Sequence, residues 1–269
     1  MKPLRRLFRR LYYDVLFARL KRRFPNLAFG SGRQSGETAF PATTLRIVAA
    51  GTSVRKPVGD IFAADGQDIL GINYLIANAA IPAWQHADLF VIEPHDDFEP
   101  YVEAAKRAAE AKGSIRILVK GIGSPGKRDA SLRLIGALSH VKGATVVPWR
   151  DLYLPDLPQA SFAKAIAAHP DQTVSGSKTV LWALSYGYVA GYRKIVLHGF
   201  DFSADYAYET DGDAAPPPNT WVDDPRRRDV VLDEIVATAN ALSRKGVAIM
   251  QCNCDGPLAQ LLPADPDCE

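Results

Sequence analysis

Cysteine is scarce in this chain. Three cysteines among 269 residues are too few, and odd in number, for a disulfide scaffold, and they favour a reducing, cytoplasmic setting. Long apolar runs are also missing: none approaches the ~18 residues that a bilayer-spanning helix needs. There is no internal repeat and no low-complexity tract. With 47% hydrophobic and 23% charged residues, a disordered or fibrous chain is excluded. A chain of this length can bury roughly 75% of its unfolded surface, enough for one large domain or two small ones without staples.

A strong overall charge is missing too, but the net +2 conceals an asymmetry. Residues 1–24 carry nine Lys/Arg against the single acid Asp14, a local +8, so the remainder carries −6. A mildly acidic body argues against a nucleic-acid partner. In the arm, Leu4, Leu7, Phe8, Leu11, Val15 and Ala18 recur at helical spacing among seven arginines. Asp14 and Arg19 interrupt the apolar stretch that a signal peptide requires. The arm reads as an amphipathic helix lying on an anionic membrane, apolar face in lipid and arginines on headgroups. The plainer alternative is a helix docked on its own domain or on a partner. Residues 25–43, rich in Gly, Ser, Pro and Thr, read as a linker. Residues 44–269 form the folded domain.

In that domain, β-rich runs at 45–50, 69–76, 88–93, 115–119, 144–148, 194–198 and 247–252 alternate with helical stretches at 97–112, 131–140, 175–191 and 229–245. Several runs are continuously apolar, as strands buried on both faces are. The pattern predicts a doubly wound, mostly parallel, Rossmann-like α/β sheet. Ligands of such sheets bind beyond the strand C-termini, which points to the loops beginning at Gly51, Glu93, Gly121 and Gly199. Residues 203–228, rich in Asp, Pro and Arg, form a loop long enough to be a lid.

Several short motifs carry candidate chemistry. Gly121-Ile-Gly-Ser-Pro-Gly-Lys127-Arg128 imitates a phosphate-binding Walker A loop, but Arg128 stands where a Mg²⁺-holding Ser/Thr belongs. Asp211-Gly-Asp213 spells a possible divalent-cation pair, although a solvated turn explains it as well. Cys252-x-Cys254 lacks two further zinc ligands and reads as a strand-end thiol pair. His95 follows a strand and is a candidate site residue; His198 reads as packed. Ser175-Gly176-Ser177 opens the 175–191 stretch, and a helix N-terminus with a Ser cap suits a phosphate.

Together these segments resemble the bacterial CST-type sialyltransferases, glycosyltransferase family 42. The densest likeness joins the Ser175-Gly176 helix start, Gly187-Tyr-Val-Ala-Gly-Tyr-Arg-Lys-Ile-Val-Leu197, Gly199-Phe-Asp201-Phe and Tyr206-Ala-Tyr-Glu-Thr210. Weaker matches are Ala50-Gly51, Asn73, Glu93-Pro94 and Cys252-x-Cys254, in the same order along residues 45–262. The resemblance implies a single-domain, GT-A-like, Rossmann-like glycosyltransferase that uses a CMP-sugar and needs no metal or cofactor. Carried over by position, Gly51, Thr52, Asn73, Glu93, Ser175, Gly176, Ser203, Tyr206 and Trp221 would lie at the nucleotide, with Tyr206 donating to its phosphate.

The sequence departs from the family pattern in the lid. Where the family has Tyr-x-x-His and then Asp five residues on, this chain reads Trp221-Val-Asp-Asp224 and then Asp229. Asp224 therefore stands at the position of the family's general base. Gln172 replaces an expected Arg and Glu93 an expected Asn. The resulting expectation is an inverting transfer of sialic acid or a Kdo-like acid to a glycan or lipid-linked glycan, such as lipopolysaccharide or capsule, at the inner membrane face. Asp224, or else His95, would take the acceptor proton. Two alternatives stay open: an MptE-like diphosphokinase using ATP and Mg²⁺, and a catalytically inactive binding protein.

Overall fold

The structure is a computed structural model that describes residues 2–30, 43–51, 54, 65–77, 88–94, 96–122, 127–157, 161–176, 178–202, 224–252 and 256–268. Its centre is a seven-stranded sheet built from β1 (Thr44–Val48), β2 (Gln67–Ile72), β3 (Leu89–Ile92), β4 (Ile115–Val119), β5 (Ala144–Pro148), β8 (Lys194–His198) and β9 (Ala248–Cys252). The spatial order is β5-β4-β3-β2-β1-β8-β9, and every neighbouring pair is parallel. The seven β-rich runs of the sequence are these seven strands. The chain builds outward from β1 to β5, then returns to place β8 beside β1. The switch point of the topology is thus the β1/β8 boundary, where doubly wound sheets bind ligands.

Strand alternation sorts the core into two faces. Leu45, Ile47, Leu70 and Val91 join one core with α4 (Phe162–Ala168), α5 (Thr179–Ala190) and α6 (Pro225–Ser243). Val48, Ile69, Phe90 and Ile117 join the other with α1 (Lys2–Arg23), α2 (Glu99–Lys112) and α3 (Arg128–Leu138). Fully burying one such aliphatic side chain stabilises by about 1.5–3 kcal/mol. The basic arm is helical, and Leu16, Phe17 and Leu20 are buried in the second core. Its C-terminal half is therefore docked on the body, while Leu11, Tyr12 and Val15 stay exposed. Beyond the helix, Phe29 packs edge-on to Phe17, and Gly30 bridges to Trp149.

Three boundaries differ from the sequence expectation. The second strand ends at Ile72, and Asn73–Ala77 is a 3-10 turn. The helix expected from Ser175 starts at Thr179, because Val174 and Ser175 form a short strand, β7, paired with β6 (Leu152–Tyr153). That pairing is tertiary: the Val174 N–H is also held by Ser185 Oγ at 2.8 Å. The last helix begins at Pro225, so Arg226, Arg227 and Arg228 lie in its first turn and not in a loop.

The cysteine expectation is corrected as well. Cys252 is not one of a pair of free thiols with Cys254; it is disulfide-bonded to Cys268. The bond runs against the reducing setting that so few cysteines suggest. The tail turns back along β9 through a Gln251–Ala264 bridge, which brings Cys268 over the strand end. There Asp265, fully buried, pairs with Arg46 Nη1 at 2.9 Å and with Lys194 Nζ at 2.5 Å. Burial raises the Asp265 carboxyl, but the Lys194 hydrogen bond and the charges of Arg46 and Lys194 outweigh it and hold it below the ordinary value. Arg46 Nη1 also stands 3.0 Å from His198 Nε2. Burial, with the charge of Arg46, presses the imidazole down to about 3, so the ring is neutral.

Candidate active site

At the β1/β8 switch point the two strand ends are knitted together. The Ala49 N–H donates to the His198 carbonyl at 2.9 Å, and the Gly51 N–H donates to the Gly199 carbonyl at 3.0 Å. A side chain at Gly51 would place its Cβ 2.3 Å from the Gly199 oxygen and 2.8 Å from Asp201 Oδ2. Gly199 itself has φ +68, and a Cβ there would meet the Ala49 carbonyl oxygen at 2.5 Å. Only glycine fits either position, so the backbone itself floors the crevice, with the Asp201 carboxylate against it.

Toward β4 the strand ends carry a linked polar network. Asn73, held at φ 50, accepts the Glu93 N–H through Oδ1 at 3.2 Å. Its Nδ2 donates to Thr179 Oγ1 at 3.4 Å, and that hydroxyl donates to Glu93 Oε2 at 3.3 Å. Glu93 Oε2 pairs with Lys120 Nζ at 2.6 Å, and Oε1 pairs with Lys127. Burial works to raise the Glu93 carboxyl, but the two lysines prevail and hold it at about 2. Asp151, just past β5, accepts from Trp182 Nε1 at 2.6 Å, from the Gly121 N–H at 2.9 Å and from Thr173 Oγ1 at 3.3 Å. Desolvation still pushes its carboxyl up to about 6. Behind it Trp182 stacks on Tyr186, and Trp149 meets both edge-on.

The first turns of α5 and α6 face this network. Lys178, at the N-cap of α5, is lowered by burial, raised by Glu93 and lowered again by Arg227 and Lys120. Asp224 caps α6: Oδ1 accepts the Arg226 N–H at 3.1 Å, and Oδ2 pairs with Arg227 Nε at 3.2 Å. Its side chain is 45% exposed. Lys120, Lys127 and Lys178 thus gather around Glu93, with Arg227 and its partner Asp224 beside Lys178, and the excess of positive charge suits an anionic ligand.

The network unites Asn73 and Glu93, and the switch point holds Gly51. Ser175 and Gly176 are described but do not cap a helix: Ser175 is buried in β7, and α5 begins only at Thr179. His95, Thr52, Ser203, Tyr206 and Trp221 lie outside the described residues, as do Asp211, Asp213 and most of the 203–228 segment. Sequence reasoning missed Lys120, Asp151, Thr179 and Lys178. The first two carried a usable signal: each is a charged residue immediately or shortly past an apolar strand. Lys127 was visible only as the lysine of an incomplete Walker A loop; its partner is a carboxylate. Among the described residues, His198, Cys252 and Cys268 bring three metal-capable atoms within 4.8 Å of one another, but the two sulfurs are bonded to each other.

No protein-family model and no curated protein matches the sequence. Solved structures share its fold. The sialyltransferase CstII from Campylobacter jejuni, in complex with the substrate analogue cytidine-5'-monophosphate, is similar with a TM-score of 0.52 at 12% identity, over 84% of this chain and 86% of that one. CstII in complex with the substrate analogue CMP-3FNeuAc gives a TM-score of 0.51 at 11% identity, over 83% and 86% of the two chains. CST-II in complex with a trisaccharide acceptor and CMP gives 0.50 at 13%, over 83% and 86%. The chain has the CST-type sialyltransferase fold. In this sheet the crevice at Gly51 and Gly199 and the Glu93 network share the C-terminal edge. Polar groups from four separate loops therefore converge on one side of the molecule.

Proposed function

We propose that this chain is an inverting glycosyltransferase that moves a nonulosonic-type sugar, sialic acid or a Kdo-like acid, from a CMP-sugar to a glycan acceptor. The observation that carries the reading is the fold, shared over 84% of the chain with a CMP-bound sialyltransferase. The glycine-floored crevice at the switch point and the cations at the heads of α5 and α6, Lys178 and Arg227, suit a nucleotide phosphate. No metal is needed in this reading, because CMP departs once its phosphate oxygens are met by hydrogen-bond donors and positive charge.

The transfer is a displacement at the anomeric carbon. The acceptor oxygen forms the new C–O bond as the bond to the CMP phosphate breaks, and the phosphate leaves with the electron pair. Asp224 takes the acceptor hydroxyl proton. It stands at the head of α6, half exposed, with Oδ1 accepting the Arg226 N–H and Oδ2 paired with Arg227, which would release it to the acceptor on turning to the phosphate. The N–H groups of the first turn of α5, with Lys178 and Arg227, offset the charge on the departing phosphate. Ser203 and Tyr206 would add hydroxyl donors. On the opposite side of the chain's core, the exposed Leu11, Tyr12 and Val15 and the basic last turn of α1 would rest on an anionic membrane. This placement on a membrane surface fits a lipid-linked acceptor such as lipopolysaccharide or capsule.

Acceptor-dependent release of CMP from CMP-sialic acid or CMP-Kdo, measured with EDTA present, tests the reading. Asp224→Asn is the matched control: Asn caps a helix as well as Asp does, so the fold is kept while the base is lost. Transfer should fall at least 100-fold with CMP binding intact. Unchanged turnover would remove Asp224 from the mechanism.

A further inference from the structure

Glu93 is held by two lysines of different character. Lys120, at the end of β4, is 1% exposed and lies 2.6 Å from Oε2. It neutralises the carboxylate from inside the protein. Lys127, at the N-cap of α3, is 30% exposed and takes the other oxygen, Oε1. Its charge is therefore surplus to the pair, and a ligand can reach it from solvent. Thr179 and Asn73 fix the orientation of Glu93 from the α5 and β2 sides. The carboxylate is thus a rigid perch on which one accessible ammonium is parked.

Resting on the transferase reading, we propose that Lys127 is the residue that selects a negatively charged sugar: it leaves or shares Glu93 to meet the carboxylate of the donor's sugar. The geometry supports this in two ways. The phosphate has its own partners in that reading, the α5 start with Lys178 and Arg227, so a cation at the β3 and β4 ends serves a second anionic group. Glu93 also makes the selection two-sided. A neutral sugar offers Lys127 nothing better than the carboxylate it already holds. A carboxylated sugar competes for Lys127 directly, and Lys120 remains to balance Glu93. A lysine parked on an internal carboxylate in this way disfavours the wrong ligand as well as favouring the right one.

The test is calorimetric titration of the whole protein with three probes: CMP, CMP-3FNeuAc, and the carboxyl methyl ester of CMP-3FNeuAc. The wild type should prefer the acid to its ester by roughly 10- to 100-fold, the range of a charge-assisted hydrogen bond. Lys127→Met should bring the acid down to the ester's affinity and leave CMP and the ester unchanged. Lys127→Arg should keep most of the preference. Thermal melting checks that both variants fold, which a part-exposed position allows. A preference that survives in Lys127→Met, or an equal loss for all three probes, overturns the assignment. So does a wild type that binds CMP but treats acid and ester alike, and that outcome leaves the transferase reading standing. A wild type that binds no CMP overturns the transferase reading and this assignment together.

Discussion

The guanidinium of Arg46 and the carboxylate of Asp265 are separated by 219 residues of chain and by 2.9 Å in space. Arg46 interrupts the apolar pattern of β1 because a buried acid from the C-terminal tail is there to meet it. Gln67 accepts from its Nε, and neutral His198 accepts from Nη1. Asp265→Ala would leave Arg46 buried with its main counter-charge gone. Loss of one partner from such a pair costs about 3–5 kcal/mol. A urea midpoint should fall accordingly; a loss under about 0.5 kcal/mol would show that the tail does not stabilise the sheet.

The disulfide secures the same tail a second way. Cys252 and Cys268 are 16 residues apart, and a cross-link closing a loop of about that size stabilises by about 3 kcal/mol in the chain-entropy model. Dithiothreitol should lower the melting temperature, and Cys268→Ser should abolish that sensitivity. In the protein denatured without reductant, a thiol reagent should find one cysteine of the three. Finding all three would contradict the bond.

His198 and Asp151 give opposite pH dependences. His198 is depressed to about 3 in the folded protein. As pH falls below about 6.5 the unfolded chain takes up the proton first, so this residue makes stability fall with acid. Asp151 is raised to about 6. The folded protein takes up that proton first, so stability rises as pH falls through 6 toward the ordinary Asp value. Glu93 and Asp265, both depressed, lose their contributions only at lower pH. Between pH 7 and pH 5 the first two should nearly cancel, and His198→Gln should unmask Asp151 as a gain of about 1 kcal/mol at pH 5. A variant that instead loses stability on acidification would show Asp151 to be ionised throughout.

The sheet was legible because its strands are buried on both faces, so runs such as Lys194–His198 stand out as apolar blocks. The crevice glycines were legible because they follow those blocks. Ser175 misled because Ser-Gly-Ser before an apolar run has the local chemistry of a helix cap, while the decisive partner, Tyr153, is 22 residues upstream. The bond between Cys252 and Cys268 was not legible because three cysteines permit three pairs, and only the return of the tail along β9 selects one. Lys120 and Asp151 were overlooked because a single charged residue past a strand looks like any loop residue until its partners, Glu93 and Trp182, are brought to it.

The basic helix divides into a docked and a free side. Deleting all of α1 would remove Leu16, Phe17 and Leu20 from the core, so truncation would confound anchoring with folding. Leu11→Ser together with Val15→Ser changes only exposed positions. If the helix rests on lipid, the double variant should melt like the wild type yet lose most of its co-sedimentation with anionic vesicles. Undiminished co-sedimentation would assign that stripe to another partner.

The most direct test of the central claim is calorimetric titration with CMP and with ATP, each with EDTA and with Mg²⁺. The transferase account predicts that CMP binds equally well with and without the metal and that ATP does not bind. Mg²⁺-dependent binding of ATP, or no binding of either nucleotide, would contradict it.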